Sequence, residues 1–184
     1  MAFVFATMAV VGAWYLVKNF RLEGLDAVRS RPRQGEAGFW ASLDETLPIS
    51  RATDTIRVAS FNIQVFGRTK LEKPHVMDLL ARIARRFDVL AVQEIRSREQ
   101  DLLPRFVDLI NATGAQYDYV IGPPTGRTNN TEQFAFIFDR ASLEVDRHQI
   151  YTVHDPDDLL HREPLVGWFR VRGPAAKQAF TFTL

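Results

Sequence analysis

The chain has 184 residues, 46% of them hydrophobic and 24% charged, with a formal net charge of +1 and no cysteine. That composition excludes a disordered chain and any disulfide or thiolate-metal scaffold. The near-neutral balance also excludes a protein that grips polyanions by bulk charge, so phosphate contacts have to come from local placement.

The first element is apolar. Residues 2–17, AFVFATMAVVGAWYLV, carry no charge and end in Trp14 and Tyr15, with Lys18 and Arg21 just beyond. The run is at the short limit for a spanning helix of about 20 residues, and its aromatic and basic end suits a membrane interface. Residues 1–21 are therefore read as a transmembrane or signal-anchor helix, with a secretory signal or a buried helix as the other readings. Lys18, Arg21, Arg29, Arg31 and Arg33 outnumber Glu23 and Asp26, which favours a cytoplasmic side for the rest of the chain. Residues 22–55 hold Gly24, Pro32, Gly35, Gly38 and Pro48 without sustained periodicity and read as a linker, with a short helical piece near Phe39–Leu43.

The pattern changes at Ile56, and residues 56–184 read as one domain. "RVASFNIQVFG" (Arg57–Gly67) begins as a buried strand, is interrupted by Asn62, and runs into a loop marked by Gly67. A bare buried amide costs about 1–3 kcal/mol unless it is bonded, so Asn62 must satisfy a neighbour or face a ligand. Val76, Leu79, Leu80, Ile83 and Phe87 then fall at helical spacing behind Pro74. "DVLAVQEI" (Asp88–Ile95) is a continuous apolar strand of the kind covered on both faces, and it ends in polar Gln93 and Glu94. Ser97 and Gln100 are spaced as a capping box. Leu103, Phe106, Val107 and Ile110 make a second helical stripe, stopped by Gly114 and either started or kinked by Pro104. Five strands are expected after it, at 117–121, 134–138, 144–153, 166–171 and 179–184. Helices early and hairpins late give an α/β class with a mixed sheet.

Asn62 and Glu94 each close a strand, with one helix between them. In a parallel βαβ unit their carboxyl ends share one edge, outside which ligands bind. An amide beside a carboxylate there can hold a hard cation, because Mg²⁺ often takes only one or two carboxylates plus water and phosphate oxygens. The alternative is a mutually satisfied pair at the strand ends. "HDPDDLLHREP" (His154–Pro164) offers His154, Asp155, Asp157, Asp158 and His161, but its spacing fits no zinc pattern, and it reads as a solvated acidic loop.

Four stretches, "ASFNIQVFG", "FDVLAVQEIR", "GRTNNTEQFAFIF" and "REP", occur in the order found in the endonuclease/exonuclease/phosphatase superfamily. The chain resembles its deoxyribonuclease I-like branch from Ile56 to Leu184. The resemblance implies an α/β fold, a deoxyribonuclease I-like mixed-sheet sandwich with outer helices. It implies hydrolysis of phosphodiesters, or of phosphomonoesters in some branches, with Mg²⁺ or Mn²⁺ as cofactor. The partner it implies is nucleic acid, DNA first, or another phosphodiester. By the same resemblance Asn62 helps organise metal and phosphate, Glu94 binds the metal, and Glu132 orients a catalytic histidine. Arg162, in "REP", resembles a phosphate-contacting arginine, and Arg96 and Arg127 resemble residues that contact the nucleic-acid backbone. These roles suit the residue types, since a metal neutralises phosphoryl charge and arginine offers a fork to phosphate.

The family's later histidine and GDxN-like motifs have no match here, and His75, His148, His154 and His161 stand in other contexts. The expectation is therefore a sandwich whose C-terminal half is missing, in a membrane-tethered chain with little or no activity of its own. A phosphodiesterase or phosphatase acting on lipid head groups, and a non-catalytic binding module, are the rival functions. Asn130 stands where the branch has an aromatic residue near Glu132, which weakens the expected contact with a DNA sugar. Phe134, Phe136 and Phe138 alternate, as do Phe180 and Phe182. With half of the sandwich absent, their shared faces are expected to lie uncovered.

Overall fold

The computed structural model describes residues 55–96, 101–127 and 131–184. The expected apolar helix (1–21), the linker (22–55) up to residue 54, the capping box at Ser97 and Gln100, and Asn130 lie outside these residues. Among the described residues no helix is long and apolar enough to cross a membrane.

The frame is a four-stranded mixed sheet in the order β1-β2-β4-β3. Strand β1 (Val58–Phe66) lies parallel to β2 (Val89–Ile95), and β4 (Gln133–Asp139) runs antiparallel to both β2 and β3 (Tyr117–Ile121). The β1–β2 crossover holds a one-turn helix, α1 (Arg68–Leu71), and α2 (Pro74–Ala84). Pro74 occupies the first turn of α2, where its missing N–H has no partner to lose. Met77, Leu80, Ala81 and Ala84 repeat at three and four residues and turn one buried stripe to the sheet. In α3 (Leu102–Asn111), Leu102, Leu103, Phe106, Val107 and Ile110 do the same. Pro104 lies in the first turn of α3, so it starts the helix instead of kinking it.

Strand alternation divides the core in two. Leu90, Val92, Ala135 and Ile137 face the helices, where Phe66 meets Phe106 edge-on at 5.2 Å between ring centroids. Val89, Phe136 and Phe138 face the other way. The expectation of an uncovered aromatic row is corrected here, because a second layer covers it. Strands β5 (Leu143–Val145), β8 (Trp168–Val171) and β9 (Thr181–Thr183) form a three-stranded antiparallel sheet, and β6 (Tyr151–Thr152) pairs with β7 (Leu165–Val166). The Phe169 ring, fully buried, lies 5.4 Å from Phe136 and 6.0 Å from Phe138 and stacks on Phe182 at 5.4 Å. Phe136 and Phe138 are only 4% and 2% exposed, while Phe180 remains open at 61%. The residues present thus build both layers of a sandwich with outer helices on one side.

Two of the expected strands are divided. The 144–153 segment breaks at Asp146, which accepts the His148 N–H and turns the chain through a short 3₁₀ segment (Arg147–Gln149). The 166–171 segment breaks at Gly167, whose N–H and C=O pair with Leu184. A Cβ there would stand 3.0 Å from the Phe136 ring, so a larger residue would push the two buried rings by a few tenths of an ångström.

Candidate active site

The carboxyl ends of β1 and β2 carry the polar residues. Pairing runs in register from Val58↔Val89 to Asn62↔Gln93, then jumps to Phe66↔Ile95. The β2–β4 ladder jumps as well, from Val92↔Ala135 to Ile95↔Gln133. Glu94 is therefore released from the ladders on both sides: β1 bulges with Ile63, Gln64 and Val65 opposite it, and Gln93 and Glu94 together face Phe134 of β4.

Four described non-glycine residues have left-handed backbones, and three of them meet here: Gln64 (φ 36°), Val65 (φ 57°) and Glu94 (φ 59°). A β-branched residue rarely tolerates this conformation, and such positions cost about 1–3 kcal/mol each unless their surroundings fix them. Here hydrogen bonds fix them. Asn62 Nδ2 donates to Glu94 Oε1 at 2.8 Å, the Val65 N–H donates to Glu94 Oε2 at 2.9 Å, and the Gln64 N–H donates to Asn62 Oδ1 at 2.8 Å. Asn62 is exposed, not buried as expected, so its amide carries no burial cost; it is nonetheless bonded to Glu94. The Asn62 bond, then the Val65 amide, and more weakly the fields of Arg96 and Arg162, hold the Glu94 carboxyl below the usual carboxylate range against some desolvation. Glu94 is ionised at neutral pH and half-exposed.

Behind it lies Glu132, 4% exposed. Its backbone is pinned by two hydrogen bonds with Thr125, at 2.8 and 3.0 Å. Arg96 donates to Glu132 Oε1 through Nε at 2.7 Å and again through Nη2. Arg162 Nε lies 3.0 Å from Oε2 as an ion pair. Its N–H is out of line for a hydrogen bond, so this buried nitrogen has no hydrogen-bond partner among the described residues. Both Glu132 oxygens therefore face arginine, where the resemblance implied a histidine.

Gly67 locks the frame. The Arg96 N–H donates to the Phe66 carbonyl at 2.8 Å, and a Cβ on Gly67 would stand 2.6 Å from the Arg96 carbonyl oxygen. No other residue fits between these two main chains.

The structure brings together Asn62, Glu94, Arg96, Glu132 and Arg162. It does not bring Arg127 to them as a free cation. Arg127 Nε donates to Asp158 at 3.0 Å, and Nη2 reaches the carbonyls of Asp158 and Leu160. This arginine ties down the acidic loop that begins at His154. Within that loop the Asp155, Asp158 and Glu163 carboxylates come within 4.8 Å of one another, but Asp158 is engaged by Arg127 and Asp155 accepts the Leu160 N–H at 2.6 Å. Sequence reasoning missed Lys70, whose ammonium donates to the Gln64 carbonyl and reaches that of Val65 at 3.5 Å. Its signal was the spacing behind Gly67, which places it one helical turn from the bulge.

The donor set fits a hydrated hard cation. Each Glu94 oxygen accepts one hydrogen bond from the protein, which leaves lone pairs directed to solvent, and one carboxylate suffices for Mg²⁺ when water and phosphate complete the shell. Asn62 turns its nitrogen to Glu94 and its oxygen to the Gln64 amide, so in this arrangement it holds the carboxylate.

The sequence profile of the Endonuclease/Exonuclease/phosphatase family matches residues 59–178. Deoxyribonuclease gamma from Rattus norvegicus is 32% identical over 128 residues, 67% of this chain and 41% of that protein. Deoxyribonuclease-1 from Equus caballus is 31% identical over 117 residues, 61% of this chain and 41% of that protein. The chain thus spans about two fifths of the length of these curated relatives. Among solved structures, a family protein from Bacteroides thetaiotaomicron superposes with a TM-score of 0.47 at 15% identity, covering 70% of this chain and 46% of its own.

Proposed function

The chain belongs to the endonuclease/exonuclease/phosphatase family, and from that membership we propose that its 56–184 domain carries the metal- and phosphate-binding part of a phosphodiester hydrolase acting on DNA. The observation that supports this most is the convergence at one sheet edge of an outward, ionised carboxylate and two arginines set on a buried one. The deoxyribonuclease relatives favour DNA as the substrate.

Glu94 would hold Mg²⁺ or Mn²⁺, which when bound supplies Lewis-acid neutralisation of charge on a phosphoryl oxygen. Asn62 and the Val65 amide keep the Glu94 carboxylate ionised and aimed outward. Glu132 neutralises Arg96 and Arg162 in part and fixes the Arg96 guanidinium plane through two bonds. The Arg162 Nε is buried at 3.0 Å from Glu132, so contact with a phosphate oxygen would fall to the terminal nitrogens of this partly exposed guanidinium. Fixed donors of this kind need no reorganisation when substrate arrives.

Binding of a short fluorescent DNA duplex to the 184-residue chain, monitored by anisotropy with and without Mn²⁺, tests this. Mn²⁺ should strengthen binding in the wild type and have no effect in Glu94→Gln. Arg162→Ala should weaken binding about tenfold, the loss expected for one charge-assisted contact. Wild-type affinity and Mn²⁺ response in both variants would refute the reading.

A further inference from the structure

We propose that Lys70 is a positioning residue for Glu94, acting through the peptide group between Gln64 and Val65; the inference rests on the reading of Glu94 as the metal carboxylate. Helix α1 returns the lysine over the bulge, because the N–H groups of Lys70 and Leu71 both bond the Gly67 carbonyl, at 3.0 and 3.2 Å. The Lys70 ammonium donates to the Gln64 carbonyl. The N–H of the same peptide group, that of Val65, donates to Glu94 Oε2 at 2.9 Å.

In a trans peptide the C=O and N–H point in opposite directions. One rigid plane therefore has a cation at its oxygen and the metal carboxylate at its nitrogen. A cation on the carbonyl polarises the amide and strengthens the bond that its N–H donates. The lysine also reaches the Val65 carbonyl at 3.5 Å, so it holds the two consecutive residues whose left-handed backbones turn their amides inward. A valine stays in that conformation only when its neighbours over-determine it. Glu94 supplies the constraint on one side and Lys70 on the other. Without the ammonium, water can serve the carbonyl equally well in an extended backbone, and the Val65 amide is then free to leave Glu94.

The test uses the full 184-residue chain as wild type, Lys70→Met, Lys70→Arg and Glu94→Gln. Amide hydrogen exchange at Val65 without metal reads the clamp, Mn²⁺ titration reads its consequence, and a thermal melt accompanies each variant. Lys70→Met should speed Val65 exchange and weaken Mn²⁺ binding about tenfold, the loss typical of a residue that orients a metal ligand, with the melt unmoved. Lys70→Arg, which keeps a charged donor, should restore most of both. Wild-type exchange and Mn²⁺ affinity in Lys70→Met, with binding lost in Glu94→Gln, would overturn the role of Lys70 and leave the metal reading standing. Mn²⁺ binding undiminished in Glu94→Gln would overturn the metal reading, and the positioning role would fall with it. A Lys70→Met chain that fails to fold would make the lysine a general structural support and would also overturn the proposal.

Discussion

The two ends of the central strands use carboxylates in opposite ways. At the amino ends of β1 and β2, buried Asp88 accepts the Arg57 N–H at 2.7 Å and the Ser142 hydroxyl at 2.6 Å, and its carbonyl accepts the Asp139 N–H at 2.8 Å. Asp139, 2% exposed, accepts the Ala141 N–H at 2.9 Å. Main-chain amides and a hydroxyl serve these carboxylates, and no left-handed residue lies among them. At the carboxyl ends the carboxylates meet arginines, three strained residues gather, and one arginine nitrogen is held by an ion pair without a hydrogen-bond partner among the described residues. One end closes its polar groups on one another and stabilises the sheet. The other keeps donors and an anion in reserve at the expense of backbone strain, as binding sites do.

The largest effect expected from this contrast is on binding. Glu94→Ala should abolish the Mn²⁺ dependence of DNA binding in an anisotropy titration and lower the thermal midpoint only slightly, because the two hydrogen bonds it removes are exposed. A large fall in the midpoint would make Glu94 a structural residue like Asp88.

Asp88→Ala should do the converse. It strips partners from the Arg57 amide and the Ser142 hydroxyl, a loss of about 2–3 kcal/mol, to be read from denaturant unfolding. Mn²⁺ affinity, measured on the folded chain, should stay at the wild-type value.

Gly67→Ala tests whether the active end depends on its tight frame. The new Cβ would stand 2.6 Å from the Arg96 carbonyl, and the forced shift should cost about 1–3 kcal/mol. Because Arg96 moves with it, DNA affinity should fall too. A loss confined to stability would uncouple the frame from the site.

The smallest effect is in pH. The hydrogen bonds of Asn62 and Val65 lower the Glu94 pKa in the folded chain. The stabilisation they give is present above the carboxyl's unfolded value and is lost as the pH falls through the lowered folded value. Mn²⁺ affinity should therefore hold from neutrality to below the usual carboxylate range, and in Asn62→Ala the decline should begin at higher pH. Coincident pH profiles would show that Asn62 does not tune Glu94.

Much of this contrast was legible in the sequence. The two helices and the apolar run of β2 come from periodicity, although the face α2 buries is Met77, Leu80, Ala81 and Ala84, where the spacing gave Val76, Leu79, Leu80, Ile83 and Phe87; the edge shared by Asn62 and Glu94 comes from βαβ geometry. The left-handed turn did not show, because it is built from Gln64, Val65 and Glu94 instead of glycine, and long-range hydrogen bonds impose it. Lys70 stayed hidden for the same reason, since its partners are main-chain carbonyls that carry no residue code. Arg127 shows a limit of the sequence: an arginine near a loop looks the same whether it faces phosphate or, as here, an aspartate on another loop. The strands that cover Phe136 and Phe138 were expected at 144–153, 166–171 and 179–184 and are found, shortened, at Leu143–Val145, Trp168–Val171 and Thr181–Thr183, but periodicity alone does not say that they pack on this face.

The most direct test of the central claim is the paramagnetic broadening of backbone amide NMR signals when the isotopically labelled 184-residue chain is titrated with Mn²⁺. The account predicts that the signals of Val65, Glu94 and Arg96 broaden first, while those of Asp88 and Ser142 at the opposite end stay sharp. Broadening centred on Asp155, Asp158 and Glu163, with Glu94 untouched, would contradict it.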